Sequence, residues 1–314
     1  MNKKYLNERN QKKMHGVKNV LDIIGKTPML NLKTLSDGTV FAKAEFLNPG
    51  GSVKDRVARF IIEEAEREGV LKPGSMIIEA TSGNTGIGVA LVGVFKRYNV
   101  TIVMPEDMSD ERKKIITALG ARLVLTPAKD SITGALREAE RIISKNPGAF
   151  MVGQFVNPKN PETHYRETGP EIWNDMDGRI DAFVAGVGSG GTIGGVGRFL
   201  KEKDKNIRIV AVEPANAAAL LGHEPGLHVI QGIGDGFVPP VLDTSLIDEV
   251  ITISDDDAVE MTRRLAREES ILAGTSSGAN VRASLQVSSK IGSGSRVVTV
   301  LPDRAERYFS TSLL

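Results

Sequence analysis

The sequence predicts an α/β protein of two domains, each a mostly parallel twisted sheet flanked by helices. Three observations predict it. Short β-branched runs alternate with amphipathic helical patterns. The alternation forms two series separated by a segment rich in Asn, Pro and Thr, and 314 residues are enough for two domains that share a sizeable core. Strands that alternate with helices form parallel sheets with helices on both faces.

The first series is predicted to contain four strands and three helices. Runs of Val, Ile and Leu bounded by turn residues predict strands at 75–80, 100–104, 122–125 and 150–152. Apolar residues at helical spacing predict helices at 87–96, 109–119 and 132–144. The segment between Asn157 and Pro170 is the predicted boundary with the second series.

The second series repeats the pattern. Its predicted strands lie at 182–186, 207–213 and 297–301, and its predicted helices at 192–203, 255–269 and 279–290. In open parallel sheets, ligands bind at the carboxyl ends of strands, where loops lead into helices. Loops of this kind occur in both series, and we expect the functional site there.

Composition excludes several classes of function. The net charge of +1 argues against bulk electrostatic binding of nucleic acid or an anionic membrane surface. No apolar run reaches membrane-spanning length and no secretory signal is evident, so we expect a cytoplasmic location, with residues 1–19 as a polar solvated arm. The chain has no cysteine, and its four histidines show no metal-ligand spacing, so no metal is expected.

A lysine beside two glycines is the first candidate catalytic residue. The segment 48–56 (NPGGSVKDR) prevents a helix before Ser52 and predicts one after it that ends at Gly69. Lys54 would then lie in the first turn, where the positive end of the helix dipole makes its amine easier to deprotonate. A neutral amine is what Schiff-base chemistry requires. The alternative is a solvated surface lysine.

Two further loops suit anionic ligands. The loop 81–86 (TSGNTG) offers hydroxyls and helix-start amides that suit a small carboxylate, although it could also be an elaborate helix cap. The loop 186–192 (GVGSGGT) brings backbone amides and the hydroxyls of Ser189 and Thr192 close to a ligand such as a phosphate monoester. Its glycines also satisfy G-x-G-x-x-G, and the next strand ends in Glu213, so a nicotinamide dinucleotide is an alternative on this loop alone.

Taken together, these features favour pyridoxal phosphate holding an amino acid. Lys54 would bind the aldehyde, the loop 188–192 the phosphate, and the loop 81–85 the amino-acid carboxylate. A dinucleotide-dependent oxidoreductase would leave Lys54 and the loop 81–86 without a role. A non-catalytic binder that keeps the fold as a scaffold is a third alternative.

Six segments, in order, resemble the cysteine synthase (O-acetylserine sulfhydrylase) family of pyridoxal-phosphate enzymes, with cystathionine β-synthase as a close relative. They are 48–56, 81–86, 188–192, 231–239 (QGIGDGFVP), 275–279 and 302–311 (PDRAERYFST). The resemblance implies a tryptophan-synthase-β-like fold (fold type II) and a homodimer. It also implies a smaller domain over 47–157, with the carboxylate loop, and a larger domain over 20–46 and 158–314, with the phosphate cup.

The resemblance also implies roles for individual residues. Lys54 resembles the lysine that binds the cofactor as an imine and later moves the Cα proton. Asn84 resembles the residue beside the cofactor's 3′ oxygen, and Ser277 the hydroxyl that faces the pyridine nitrogen. The implied phosphate ligands are Gly188, Ser189, Gly190, Gly191 and Thr192. The implied substrate-binding residues are Thr81, Ser82, Asn84, Thr85 and Gln154.

The reaction implied is a β-replacement that forms L-cysteine from O-acetyl-L-serine, or a related activated serine, and sulfide. It would proceed through an α-aminoacrylate with ping-pong kinetics. No regulatory extension is expected, because the chain stops at Leu314. The segment between Glu213 and Gln231 is shorter than is common in cysteine synthases, which argues against a docking groove for a serine acetyltransferase.

Asp235 departs from the family pattern, in which alanine follows QGIG. A carboxylate at the mouth of the site would repel bisulfide and attract the ammonium group of an amino-acid thiol. That would favour a cysteine-consuming replacement, which releases sulfide and forms lanthionine or cystathionine. The alternative is a solvated loop aspartate.

Overall fold

The structure, a computed structural model, describes residues 17–311 of the chain, so the predicted arm over 1–19 lies almost wholly outside the described residues. The strands are β1 (Met29–Asn31), β2 (Val40–Lys43), β3 (Met76–Ala80), β4 (Asn99–Pro105), β5 (Arg122–Thr126), β6 (Phe150–Met151), β7 (Ala182–Gly186), β8 (Arg208–Pro214), β9 (Glu249–Ile253) and β10 (Val297–Val300). They form a six-stranded sheet in the order β1-β2-β10-β7-β8-β9 and a four-stranded sheet in the order β5-β4-β3-β6. β1 pairs antiparallel with β2, and the other strand pairs are parallel.

Helices connect the strands and cover the sheets. They are α1 (Lys33–Ser36), α2 (Lys54–Arg67), α3 (Asn84–Phe95), α4 (Asp110–Ala118), α5 (Ser131–Ser144), α6 (Lys159–Thr163), α7 (Gly169–Asp175), α8 (Gly191–Lys203), α9 (Asp255–Glu268) and α10 (Thr275–Ile291). A π-helical turn, His164–Thr168, joins α6 to α7. No helix of the described residues is long and apolar enough to cross a membrane.

The predicted α/β class is confirmed, with helices on parallel sheets as the alternation indicates. Each strand and helix predicted in the two series is present, and its ends shift by a few residues. Three strands were not predicted. β1 and β2 are too short, at three and four residues, for a periodic pattern, and β9 (EVITI) includes Glu249 and Thr252 and so lacks a continuous apolar run. The predicted boundary between Asn157 and Pro170 is largely helical. Pro161 lies in the first turn of α6, where the missing N–H costs no hydrogen bond, and Pro170 lies just beyond the π-helical turn, which departs from the α-helical hydrogen-bond pattern.

Both faces of each sheet are buried. In the six-stranded sheet, Val40 and Val297 pack into one core cluster, while Phe183 and Val298 pack into the cluster on the opposite face. In the four-stranded sheet, Ile77 and Ile78 face separate clusters in the same way. Each such side chain contributes about 2 kcal/mol on burial, which explains why these strands are continuously apolar instead of alternating with polar residues.

The carboxyl ends of the strands define one cavity of about 560 Å³. Its lining residues follow directly on strands of both sheets, with Thr81 after β3, Gln154 soon after β6, Ser189 after β7 and Pro302 after β10. Parallel strands bring their carboxyl ends to the same edge of a sheet. The cavity therefore lies where the carboxyl edges of the two sheets meet.

Candidate active site

Lys54 is the first residue of α2 and lines the cavity. The Ser52 Oγ accepts a hydrogen bond from the Lys54 backbone N–H at 3.2 Å, but Ser52 is not the N-cap, which is Val53 and makes no side-chain capping hydrogen bond. Gly88 of α3 packs on this turn so closely that a Cβ there would lie 2.8 Å from the Lys54 carbonyl oxygen. The start of α2 is thereby held against α3.

Lys54 is more readily deprotonated than an ordinary lysine. Its pKa is lowered, first of all because burial disfavours the charged ammonium, while the carboxylates of Asp235 and Asp303 act in the opposite direction. A lowered pKa of Lys54 was predicted from the helix dipole, whereas in the structure the main cause is burial. The side chain can present a neutral amine to the cavity.

The loop after β3 forms one wall of the cavity. Thr81, Ser82, Asn84 and Thr85 all line it, as does Gln154 from the segment after β6. The Thr81 Oγ1 accepts the Gly83 N–H at 2.9 Å, and the Thr85 Oγ1 donates to the Gln154 Oε1 at 2.7 Å. The structure therefore brings together the residues predicted to bind a carboxylate, although Gln154 lies 69 residues beyond Thr85.

A buried carboxyl group, that of Glu79, accepts hydrogen bonds from the backbone at Gln154. Glu79, the fourth residue of β3, accepts the backbone N–H of Gly153 at 2.7 Å and that of Gln154 at 3.4 Å. Burial raises the pKa of Glu79 to about 7, and the two backbone hydrogen bonds oppose that rise only in part. Glu79 was not among the predicted site residues, because one glutamate in a strand pattern gives no sign of its burial.

The glycine-rich loop between β7 and α8 forms a second wall. Ser189 lines the cavity and accepts a hydrogen bond from the Asn160 Nδ2 at 3.0 Å. A Cβ at Gly191 would lie 2.0 Å from the Asn160 Oδ1, and one at Gly188 would lie 2.4 Å from the Gly232 carbonyl oxygen. Only glycine fits these positions, and the first amides of α8 have no partner within the helix. The loop can therefore bind an anion through its backbone.

The remaining predicted residues lie beside the cavity lining. Thr192, in the first turn of α8, is hydrogen-bonded through its Oγ1 to the Nε2 of the buried His164 at 3.3 Å. Gly190 adopts a positive φ of 77° at the end of the same loop. Ser277 lies in the first turn of α10, and its Oγ is buried with no hydrogen-bond partner among the described residues. Its neighbour Ser276 lines the cavity.

Asp235 lines the cavity from the loop that follows Gln231. Burial raises its pKa, while the positive charges of Lys54 and His228 act to lower it. Asp235 is thus an aspartate that faces the cavity and interacts electrostatically with Lys54. It is not a fully solvated loop residue.

Arg112 is a cavity-lining residue that the sequence analysis missed. It lies on α4, is 2% exposed, and donates to the Gln231 Oε1 and, at 3.2 Å, to the Tyr308 hydroxyl. A Cβ at Gly83 would lie 2.4 Å from its Nε. An arginine on an otherwise polar helix gives no sequence signal of burial, because the residues that cover it come from distant segments.

Comparison with known proteins defines the class. The family model for pyridoxal-phosphate dependent enzymes matches residues 20–303, and the chain belongs to that family. A cysteine synthase from Staphylococcus aureus is 50% identical over 301 residues, which cover 95% of this chain and 97% of that protein. The glycine-rich loop after β7 thus belongs to a pyridoxal-phosphate enzyme, and the dinucleotide interpretation is wrong. Glu213, its expected ribose ligand, instead accepts the Leu220 N–H at 3.1 Å.

Crystal structures of two relatives agree in fold over nearly the whole chain. That of an O-ureido-L-serine synthase has a TM-score of 0.92 and 43% identity, and the match covers 95% of both chains. That of a hydrogen sulfide-producing enzyme from Fusobacterium nucleatum has a TM-score of 0.90 and 39% identity, and the match covers 94% of this chain and all of that one.

The residues around the cavity fit pyridoxal phosphate. Lys54 offers an amine with a lowered pKa. The loop 188–192 offers helix-start amides and glycines that no larger residue can replace, which suits a phosphate group. The unpartnered, buried Ser277 Oγ suits a ring nitrogen. An amine, a phosphate site and a neutral hydroxyl are what the three polar parts of this cofactor require.

Proposed function

We propose that the chain catalyses β-replacement at Cβ of O-acetyl-L-serine, or a related activated serine, with sulfide as the nucleophile and L-cysteine as the product. One observation carries the proposal. Lys54, with its lowered pKa, opens into the same cavity as the loop 81–85, Gln154 and Ser189. The cavity therefore has a reactive amine and a phosphate site for the cofactor, together with a carboxylate site for the amino acid bound to it.

Lys54 is the catalytic residue of this proposal. Bound pyridoxal phosphate supplies an aldehyde and an electron-withdrawing ring that acidifies the α-carbon of an attached amino acid. The Lys54 Nζ binds the cofactor between turnovers, takes the Cα proton when the leaving group departs, and returns it after the nucleophile adds. Its lowered pKa suits a group that must accept and release a proton near neutral pH.

The other residues bind and orient. Thr81, Ser82, Asn84, Thr85 and Gln154 hold the substrate carboxylate so that Cα stays near the Lys54 Nζ. Gly188, Ser189, Gly190, Gly191 and Thr192 hold the phosphate. Ser277 faces the ring nitrogen with a hydroxyl, which unlike a carboxylate cannot keep that nitrogen protonated.

The cavity lies between two structural units in this proposal. The smaller comprises residues 47–157 and contains the four-stranded sheet, and the larger comprises 20–46 and 158–314 and contains the six-stranded sheet. Two copies of the chain form a homodimer in solution. Light scattering after size-exclusion chromatography should give twice the chain mass of 33.8 kDa, and a value near that of one chain would contradict the dimer.

Reduction with borohydride tests the role of Lys54. Wild-type protein incubated with pyridoxal phosphate should be yellow, and reduction followed by peptide mapping should place the label on Lys54. Lys54→Ala should abolish both the label and cysteine formation, by at least about 10³-fold. Lys72→Ala, at an exposed lysine, should change neither. An unlabelled Lys54 in yellow wild-type protein would refute the assignment.

Asp235 favours a second candidate function, a cysteine-consuming replacement that releases sulfide. It lines the cavity and interacts with Lys54, and its charge would repel bisulfide and attract the ammonium group of an amino-acid thiol. A structural relative is described as a hydrogen sulfide-producing enzyme, which supports including this activity.

Product analysis of an Asp235→Asn variant separates the two candidates. In the second, the variant should lose preference for cysteine or homocysteine over sulfide by about tenfold in kcat/KM, or about 1.4 kcal/mol. Asp107→Asn, which removes an exposed carboxylate from the same cavity, should keep the wild-type preference. An unchanged preference in Asp235→Asn would leave cysteine synthesis as the function.

A further inference from the structure

Asp303 lies where three functional segments converge. Its backbone pairs with Ser52, two residues before Lys54, in an isolated β-bridge. Its carbonyl oxygen accepts the Gly274 N–H at 3.0 Å, immediately before the helix that contains Ser277. Its side chain is 1% exposed and accepts a hydrogen bond from Asn84. One buried residue thus contacts the surroundings of Lys54 and Ser277 through its backbone and Asn84 through its carboxylate.

The contacts of Asn84 determine the orientation of its amide. The Arg307 Nη1 donates to the Asn84 Oδ1 at 2.6 Å, and the Asn84 Nδ2 donates to the Asp303 Oδ2 at 2.7 Å. A guanidinium group can only donate and a carboxylate can only accept, so a flipped amide would lose both bonds. The second Nδ2 hydrogen has no acceptor among residues 17–311, and Asn84 lines the cavity. Asn84 therefore offers a hydrogen-bond donor to a ligand there.

Asp303 is itself held in place as an acceptor. The Tyr308 hydroxyl donates to the same Oδ2, and the Arg112 Nη2 donates to that hydroxyl at 3.2 Å. Burial and the neighbouring Asp303 raise the pKa of Tyr308, which keeps it a donor. The Asp303 Oδ1 is turned toward Gly274, where a Cβ would lie 2.3 Å away. The Asn84 amide and the Tyr308 hydroxyl hold the carboxylate through Oδ2, while Oδ1 has no hydrogen-bond partner among residues 17–311.

We propose that Asp303 is a positioning residue that fixes the Asn84 amide so that its Nδ2 donates to the phenolic oxygen of the cofactor ring. The proposal rests on the proposed function, because it uses the place of Asn84 beside that ring. A hydrogen bond donated to the oxygen favours its deprotonated form. The electrostatic contact between Asp303 and Lys54 supports the proposal, since the carboxylate acts on the amine as well as on the amide.

The absorption spectrum of the reconstituted holoenzyme tests this directly. Asp303→Asn is nearly isosteric, but its amide can donate as well as accept, so it no longer dictates the orientation of Asn84. The protonated ring oxygen absorbs in the near ultraviolet and the deprotonated form in the visible. We expect the near-ultraviolet fraction at pH 7 to rise at least threefold and the dissociation constant of the cofactor to rise about tenfold. Asp256→Asn, at an exposed carboxylate of α9 outside the cavity, should match wild type in both.

The fold, the spectrum and the cofactor affinity of the Asp303 variants together decide whether Asp303 positions Asn84. A folded Asp303→Asn variant with the wild-type spectrum and cofactor affinity overturns it. If that variant does not fold, Asp303→Ser, which is smaller and also both donor and acceptor, takes its place, and failure of both to fold shows a purely structural role. If wild-type protein develops no visible band with pyridoxal phosphate, the proposed function itself fails. A normal wild-type band with an unaltered variant refutes only the role of Asp303.

Discussion

Lys54 owes its proposed reactivity to burial more than to its place in the helix. Burial lowers its pKa, and two carboxylates, Asp235 and Asp303, limit the effect. A lysine at a helix start is common on protein surfaces, where it stays charged. Lys54 differs from such surface lysines because its amine is desolvated by burial in the cavity wall.

Replacing Asp235 should make Lys54 easier to deprotonate. In Asp235→Asn the carboxylate that favours the ammonium form is gone, so the pKa of Lys54 should fall further below its usual value. Competitive acetylation of the apoprotein, followed across pH by mass spectrometry, should show the Lys54 midpoint at lower pH than in wild type. Asp107→Asn should leave the midpoint in place, and an equal shift in both variants would contradict a specific contact.

Glu79 should make stability depend on pH. Its pKa is about 7 in the folded protein, raised from 4.5, so the folded state binds more protons than the unfolded state between these values. Its contribution favours folding fully below pH 4.5 and is lost as pH rises through 7, a change of about 3 kcal/mol. Glu79→Gln does not titrate. The difference in free energy of unfolding between variant and wild type should therefore move in favour of the variant between pH 5 and pH 8.

Urea denaturation at several pH values measures this difference. Glu140→Gln, at an exposed glutamate of α5, is the matched control and should show no such trend relative to wild type. A flat difference for Glu79→Gln would mean that Glu79 stays ionised in the folded protein.

At the scale of elements, helix starts define the site. Three helices begin earlier than the sequence predicts. α3 begins three residues earlier, at Asn84, α8 begins one residue earlier, at Gly191, and α10 begins four residues earlier, at Thr275. Hydroxyl-rich and glycine-rich segments look like loops in a periodicity analysis, yet here they form first helical turns. Their unpaired amides are therefore nearer to the cavity than a loop interpretation indicates.

Replacement of Gly191 should remove phosphate binding. The new Cβ would lie 2.0 Å from the Asn160 Oδ1, so the loop or Asn160 must move. Gly191→Ala should weaken binding of pyridoxal phosphate about 100-fold or more, measured by equilibrium dialysis. Gly194→Ala, in the same helix with its nearest neighbour at 3.6 Å, should bind normally and gain up to about 1 kcal/mol of stability. Equal affinities of the two variants would show that the loop does not bind the phosphate.

For the whole molecule, a buried ion network links the lysine helix to the larger sheet. Arg56 of α2 is fully buried and bonds both oxygens of Glu45, which follows β2, at 2.8 Å, and both oxygens of Glu171 on α7 at 2.7 Å. The start of α2, and with it Lys54, is thereby tied to elements of the six-stranded sheet. This contact helps to fix the position of Lys54 in the cavity that Ser189 also lines.

Breaking this network should destabilise the fold severely. Arg56→Gln leaves the buried Glu45 without its counter-charge, which costs about 3–5 kcal/mol. Arg67→Gln, on the exposed end of the same helix, removes a surface ion pair with Glu64 and should cost less than about 1 kcal/mol. Urea denaturation measures the free energy of unfolding of both variants. Similar decreases in the two would show that the buried Arg56 network stabilises the fold no more than an ion pair of an exposed arginine does.

Local pattern predicted the α/β class, the four strands of the smaller sheet and three of the six strands of the larger one. The period of apolar residues depends on near neighbours along the chain, so the short strands β1 and β2 and the partly polar β9 gave too little of it. Glycines and hydroxyls at strand ends marked the loops 81–86 and 186–192, and only their combination with Lys54 favoured pyridoxal phosphate over other ligands. The resemblance added Gln154 and Ser277.

Tertiary structure alone decided which charges are buried. Arg112, Glu79 and Asp303 look like ordinary polar residues in the sequence, because burial is produced by segments far away along the chain. The same holds for the main cause of the lowered pKa of Lys54 and for the orientation of the Asn84 amide, which depends on Asp303 and Arg307 more than 200 residues later. A sequence determines residue types and local periods, whereas desolvation and hydrogen-bond direction exist only once the chain is packed.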